Sequence, residues 1–300
     1  MTTKSAYTTA LDLIGHWSAA LHTGEAPKMY QIGAPEWHHV EIGPGLVMLL
    51  GGPPGTGKTA LSMQVTVEAL RFDQTIRALV CNVEMEPTAL LDRQLARLSG
   101  IHLTTIRRRE FGIEHTQRIA AGLVTIESFA GRLAFLQFPY DLANVAAAAD
   151  AFQPQLLVLD YIQRIEPPGK YSNRKSAIDA TMNFLRRFAK AGMAVLAISA
   201  VARSKDNHNR SGYDAATLNM ASFRESSELE YGADNAFLLI PGRKLGGQRF
   251  VLRHLKNRHG ERKDLHLDFD GARQSFTPAP PEALHTFEKV NSSHPSDRSA

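Results

Sequence analysis

Three hundred residues with 43% apolar side chains provide a buried core for one ordinary α/β domain or two small ones. Lys and Arg exceed Asp and Glu by 34 to 30, a formal charge of +4, so net charge alone leaves a solvated basic surface and a polyanion partner equally open. A single cysteine, Cys81, excludes an intramolecular disulfide and a thiolate metal cluster, the twelve histidines lack metal-ligand spacing, and the longest apolar run is about half a bilayer span, so a cytoplasmic protein with no membrane partner is expected.

From Tyr7 to Leu21 the chain sets Ala10, Leu13, Ile14, Trp17 and Leu21 at helical spacing, one apolar stripe that packs on its own domain or docks on a neighbouring subunit. A connector punctuated by Gly and Pro follows, so residues 1–31 are expected as an amphipathic helix and linker. From Leu46 onward short apolar runs alternate with helical patterns, the signature of a mostly parallel sheet wrapped by helices. Strands are expected at 46–51, 77–83, 133–138, 155–160 and 193–199. Three more, at 235–240, 249–256 and 264–270, have short connections that suggest antiparallel additions at one edge. Helices are expected to end at Gly100 and Gly192. The core domain is expected over 32–276, and the polar stretch 277–300 as a disordered tail.

The stretch GGPPGTGKTAL, residues 51–61, follows a strand and precedes a helical pattern, and Gly52, four residues, then Gly57-Lys58-Thr59 is P-loop spacing. Glycines let backbone N–H groups converge on a phosphate, and the helix N-terminus adds partial positive charge. The expected nucleotide contacts are Gly52, Gly55, Thr56, Gly57, Lys58, Thr59 and Ala60, with Lys58 on the β- and γ-phosphates of ATP and the Thr59 hydroxyl on Mg²⁺. The metal's second partner should be an acid ending another buried strand, and Asp160 ends the run 155–160. Tyr161 follows it where many such ATPases have a water-activating Glu, and tyrosine is no useful base at neutral pH. The strand at 77–83 instead delivers Glu84 and Glu86 to the carboxyl edge of the sheet. Pro87 opens the next helix, so Glu86 serves that helix's N-terminus and Glu84 is the expected general base.

Near the other end, Lys256 and Arg258 stand two residues apart in a strand-like run, so both face the same way. A long polar segment between Ser199 and Asn235 carries Arg203, Lys205, Arg210 and Arg224, and loops of this length inside a compact domain are usually functional or disordered.

A P-loop strand, a neighbouring strand ending in the catalytic Glu and an Asp-only second motif resemble the RecA-type ATPase arrangement, and within it the motor domain of DnaB-type replicative helicases. NVEMEPTALLDRQLARLSGI, residues 82–101, is similar to that family's Glu-Met segment and following helix, and LLVLDYIQRI, residues 156–165, to its Asp-Tyr-hydrophobic-Gln motif. NMASFRESSELEYGADNAFLL, residues 219–239, is similar to its Arg-Glu-Ser loop and Ala-Asp pair, and LKNRHG, residues 255–260, to its Lys-x-Arg-x-Gly strand end. The resemblance runs from about Ile32 to Phe276.

It implies an α/β RecA-like P-loop core and an ATP-dependent DNA helicase, a hexameric ring that moves 5′ to 3′ on single-stranded DNA with replication proteins among its partners. It further implies that Lys256 and Arg258 act in trans on the γ-phosphate held by a neighbouring subunit, and that Arg224, Glu225 and the backbone near Ser227 hold the DNA strand, with Arg203, Lys205 and Arg210 on the same loops. Two departures stand out. The family ends its sensor strand in Ser-Gln, but here Ser199 precedes Ala200, which has no side chain to hydrogen-bond, so coupling to translocation weakens or Ser199 takes the role. The P-loop near residue 52 leaves no room for the family's N-terminal collar, and the helix around Leu13 to Trp17 is similar to its linker helix, which docks on the adjacent subunit. Two rival readings remain: a RecA-like ATPase that binds single strands without unwinding, which Ala200 favours, and an interaction module whose ATP binding controls assembly.

Overall fold

The computed structural model describes residues 7–201, 204–205, 211–212, 218–223, 227–242 and 249–279. In chain order these form α1 (Ala10–Thr23), β1 (Val47–Gly52), α2 (Lys58–Phe72), β2 (Ala78–Asn82), α3 (Pro87–Ser99), α4 (Leu103–Arg108), α5 (Thr116–Ala130), β3 (Leu133–Phe135) and α6 (Leu142–Phe152). Then come β4 (Leu156–Asp160), α7 (Arg174–Lys190), β5 (Ala194–Ala200), the two-residue strands β6 (Ser204–Lys205) and β7 (Ser211–Gly212), α8 (Ser227–Gly232), β8 (Asn235–Pro241), β9 (Arg249–Asn257), β10 (Leu265–Asp270) and β11 (Ser275–Pro278). One nine-stranded sheet runs β11-β10-β9-β8-β1-β5-β4-β2-β3, while β6 pairs only with β7.

The sheet is parallel from β3 through β8 and antiparallel from β8 to β11, which is the expected α/β class. Two expectations are corrected here. β8 was expected as an antiparallel addition but lies parallel beside β1, because the chain crosses from β5 to β8 through residues 201–234 instead of turning back in a hairpin. The strand ending in Glu84 was expected to neighbour the P-loop strand, yet β5 and β4 stand between β1 and β2.

Every residue of β1, β2 and β4 is buried, as continuous apolar runs covered on both faces require. Alternation sends Met48, Leu50, Val80 and Val158 to a core with α2 and the connector residues Tyr30, Ile32, Trp37 and Ile42. It sends Val47, Leu49, Leu79, Cys81, Leu157 and Leu159 to a second core with α6 and α7. β3 stops at Phe135, short of the expected 138, and β11 runs through the position where the tail was expected to begin.

The N-terminal helix forms where expected, with a capping box between Thr9 and Asp12 and a left-handed Gly24 at its end. None of its residues is buried, and Leu13 and Trp17 of the stripe are each 58% exposed, so the stripe is not covered by the other described residues. The connector is different: Tyr30 N–H donates to Ile42 O, and Lys28 pairs with Asp73 at the end of α2 at 2.8 Å.

Candidate active site

β1 delivers the chain to Gly52, and residues 53–57 turn into the N-terminus of α2. A Cβ on Gly52 would stand 2.6 Å from Leu239 O, and Gly57 adopts φ +88°, so both positions admit only glycine. Thr56 Oγ1 donates to Pro53 O at 2.9 Å and closes the turn from beneath. Lys58 Nζ donates to the Gly52 and Pro53 carbonyls, each at 2.9 Å. Burial pushes its ammonium below the ordinary lysine value, against the Asp160 and Glu84 carboxylates, which favour the charge. A part-buried cation at a helix N-terminus is a site for an anion.

Asp160, at the end of β4, is 5% exposed. Its Oδ2 accepts from Thr59 Oγ1 at 2.6 Å and from Asn82 Nδ2 at 2.9 Å. Burial raises its pKa above the ordinary carboxylate value, while the Thr59 hydroxyl and the Lys58 charge oppose that rise. Asn82 ends β2 and also accepts, through Oδ1, from the backbone N–H groups of Glu84 at 3.0 Å and Met85 at 2.8 Å. One amide therefore ties the Asp160 carboxylate to the turn that carries Glu84.

These groups surround a cleft of about 470 Å³ lined by Pro54, Gly55, Gly57, Lys58, Thr59, Glu84, Met85, Arg93, Asp160, Tyr161, Ala200, Phe269 and Gln274. Its size suits a small-molecule ligand. Of the expected contacts, Gly55, Gly57, Lys58, Thr59, Glu84 and Asp160 line it. Gly52, Thr56 and Ala60 are buried and shape the loop beneath.

Four contributors escaped the sequence reading. Arg93, on α3, is a cation whose pKa burial and Arg107 lower and Asp160 raises. Asn82 is the positioning amide. Phe269, stacked on Phe276 with centroids 4.2 Å apart, and Gln274 close the cleft from the antiparallel edge. A polar residue at the end of an apolar strand was the available signal for Asn82; for Arg93 it was the helical face shared with Glu86 and Leu90.

At the end of β5, Ala200 reaches the cleft, but the Ser199 hydroxyl is buried and engaged: its Oγ accepts from Gln163 Nε2 at 2.7 Å and donates to Ala200 O at 3.1 Å. The Ala200 N–H donates to Gln163 Oε1 at 3.1 Å, so Gln163 clamps the end of β5.

The structure does not bring Lys256 and Arg258 to this cleft. They lie at the end of β9, whose Asn257 pairs with Asn235, which in turn pairs with Met48 at the start of β1. Phosphate loop and cations thus occupy opposite ends of β1, on the order of 13 Å or more apart at about 3.3 Å per residue. Both cations do face the same way, since Lys256 Nζ and Arg258 Nη2 donate to one carbonyl, Tyr231 O, at 3.2 and 2.7 Å. Arg258 Nη1 also donates to Asp234 Oδ1 at 2.7 Å.

Arg203, Arg210, Arg224 and Glu225 lie outside the described residues. Lys205 and Ser227 are described as backbone only, in β6 and at the start of α8.

The DnaB-like helicase C-terminal domain family matches residues 42–278. No curated protein matches the chain. Among solved structures, an ATPase domain is similar with a TM-score of 0.78 and 16% identity, over 91% of this chain and 100% of that one. A DnaB-like replicative helicase, solved for its interactions with primase, is similar with a TM-score of 0.76 and 16% identity, over 92% of this chain and 68% of that one. The likeness is one of fold, the RecA-like α/β core.

Proposed function

The chain belongs to the family of DnaB-like helicase C-terminal domains, and on that premise we propose that it is an ATP-dependent DNA helicase motor that works as a hexameric ring translocating 5′ to 3′ on single-stranded DNA. The observation that carries the reading is the convergence of Lys58, the Thr59–Asp160 pair and Glu84 on one cleft at the carboxyl ends of parallel strands. Lys58 leaves the loop carbonyls to bind the β- and γ-phosphates of ATP. Glu84, held by Asn82, accepts a proton from the attacking water.

Thr59 and Asp160 offer a hydroxyl and a carboxylate, hard oxygens that suit Mg²⁺. Among the described residues no group of three acid, histidine or cysteine side chains could hold a metal ion. When bound, Mg²⁺ neutralises charge on the transferring phosphoryl group.

Lys256 and Arg258, remote from their own cleft, serve that of a neighbouring subunit, and an arginine so supplied is worth roughly 10³ to 10⁵ in rate. The uncovered stripe of α1 docks on the adjacent copy. Arg203, Lys205, Arg210, Arg224, Glu225 and the backbone at Ser227 track the DNA backbone, so binding should depend strongly on salt and weakly on sequence. Among the described residues no helix is long and apolar enough to cross a membrane. We place the motor in the cytoplasm, with replication proteins as partners.

A second reading, a single-strand-binding ATPase that does not unwind, draws support from Ala200, where the cleft meets a methyl group and Gln163 holds the strand end. Displacement of a labelled strand from a forked duplex with a free 5′ tail, beside Lys58→Ala, decides between them. ATP-dependent displacement by the parent alone supports the helicase. Single-strand-stimulated hydrolysis without displacement supports the second reading.

A further inference from the structure

Asp234 is 2% exposed and carries an unusual load. Its Oδ1 accepts from Arg258 Nη1 at 2.7 Å, and its Oδ2 accepts from Arg186 Nη1 on α7 and from Val47 N–H, the latter at 2.8 Å. Its backbone pairs with Val47 again, N–H to O at 2.8 Å, and its carbonyl accepts the Arg258 N–H at 2.9 Å. Val47 begins β1, whose far end enters the phosphate loop.

We propose that Asp234 is the positioning residue for Arg258 in the trans-acting step, and that Arg186 keeps that arginine's charge available; the proposal rests on the reading of Arg258 as acting on a neighbour's nucleotide. Three facts support it. The carboxylate is fixed from behind by the first residue of β1, so the guanidinium is anchored to the sheet although its side chain is 40% exposed. Its two terminal nitrogens are set by two acceptors, Asp234 Oδ1 and Tyr231 O, which orient the plane of the fork and use two of its five N–H donors. A lone carboxylate beside a catalytic cation would cancel the charge that the reaction needs. Arg186 supplies a second positive charge to the same carboxylate, so the cluster, with Lys256 alongside, stays cationic.

The anchored geometry also places Tyr231 and Asp234, and through them both cations, in fixed relation to β1. Each subunit's own phosphate loop and the cations it lends are then two ends of one rigid piece.

The test is steady-state ATP hydrolysis by the full chain, with kcat and KM measured separately for Arg258→Ala, Asp234→Asn and the double variant. A misplacement near 1 Å costs on the order of 10²-fold, so Asp234→Asn is expected to lower kcat about 10- to 100-fold with KM for ATP unchanged. The double variant is expected to be no slower than Arg258→Ala alone, because both changes act through one group. Losses that multiply in the double variant would overturn the positioning role. So would parental kcat in Asp234→Asn beside a slow Arg258→Ala, leaving the trans reading intact. Parental kcat in Arg258→Ala would remove the trans reading itself.

Should Asp234→Asn fail to fold, Arg186 decides, since it lies on a helix with its side chain 26% exposed. Arg186→Gln is expected to be slow and Arg186→Lys, which keeps the charge, to recover most of the rate. A rate indifferent to which of the two stands there overturns the proposal.

Discussion

Thr59 and Asp160, 101 positions apart in the chain, are joined by a hydrogen bond of 2.6 Å from hydroxyl to carboxylate. The bond spans the gap between the start of α2 and the end of β4, and it places a buried acid where its charge is costly. Burial holds the folded carboxyl's pKa above its unfolded value. The acid's contribution to stability is therefore complete below the unfolded pKa and is lost as pH rises through the raised folded pKa. Asp160→Asn should remove that liability at neutral pH. The expected outcome is a melting temperature at or above that of the parent, with hydrolysis down at least 10²-fold; unfolding curves and Mg²⁺-dependent turnover on one preparation check it.

Asn82 touches Asp160 and the Glu84 turn through opposite ends of one amide. Asn82→Ala should free both, at about 1–3 kcal/mol for buried hydrogen bonds lost. Because Glu84 would still be present but no longer held, kcat should fall roughly 10- to 100-fold with nucleotide affinity little changed. Binding of a fluorescent nucleotide beside turnover separates the two, and weakened binding with intact kcat would disprove a role for Asn82 in placing Glu84 for turnover.

The uncovered stripe on α1 predicts a partner surface. Deleting residues 1–24 removes that helix and leaves the connector whose Tyr30, Ile32, Trp37 and Ile42 are in the core, so the domain should melt as before while its assemblies fall to monomers in sedimentation. A truncated chain that assembles like the parent would disprove docking of α1 on the adjacent copy.

The Lys28–Asp73 pair fastens the connector to the end of α2 and holds the Asp73 carboxyl down at about 2, first through the Lys28 hydrogen bond and then through Thr75. A depressed carboxyl stabilises the fold above its unfolded value of 3.8 and ceases to do so as pH falls through about 2. With Lys28 half exposed, solvent screening leaves about 1 kcal/mol at neutral pH. Asp73→Asn should cost that amount at pH 7, and the difference from the parent should narrow between about pH 4 and pH 2 in urea unfolding.

Much of this cleft was legible in the chain because strand, turn and helix follow one another around residues 46–61, so the apolar run and the glycines that enter the helix are contiguous. Asp160 and Glu84 were legible for the same reason, each standing at the end of an apolar strand. Arg93, Phe269 and Gln274 were not, because helix packing and the fold of the distant edge bring them in. The direction of β8 was hidden too: its short link to β9 looks like a hairpin, but its entry from β5 crosses over the sheet. Lys256 and Arg258 stand out in the sequence by their spacing, and both donate to Tyr231 O, whereas the own-chain partner of Arg258, Asp234, looks in sequence like one acid among several near a helix end.

On the proposed reading, a subunit with its cleft at one end of β1 and the cations it would lend at the other has a head and a tail. Copies meeting head to tail make a heterologous contact, which either closes or runs on as an open filament. An open assembly always leaves one cleft without a donor, whereas closure gives every subunit a complete site. Closing the proposed six-membered circle is then a chemical event as well as a geometric one: the sixth copy takes an open row from four working junctions to six, and dilution should idle the whole set together.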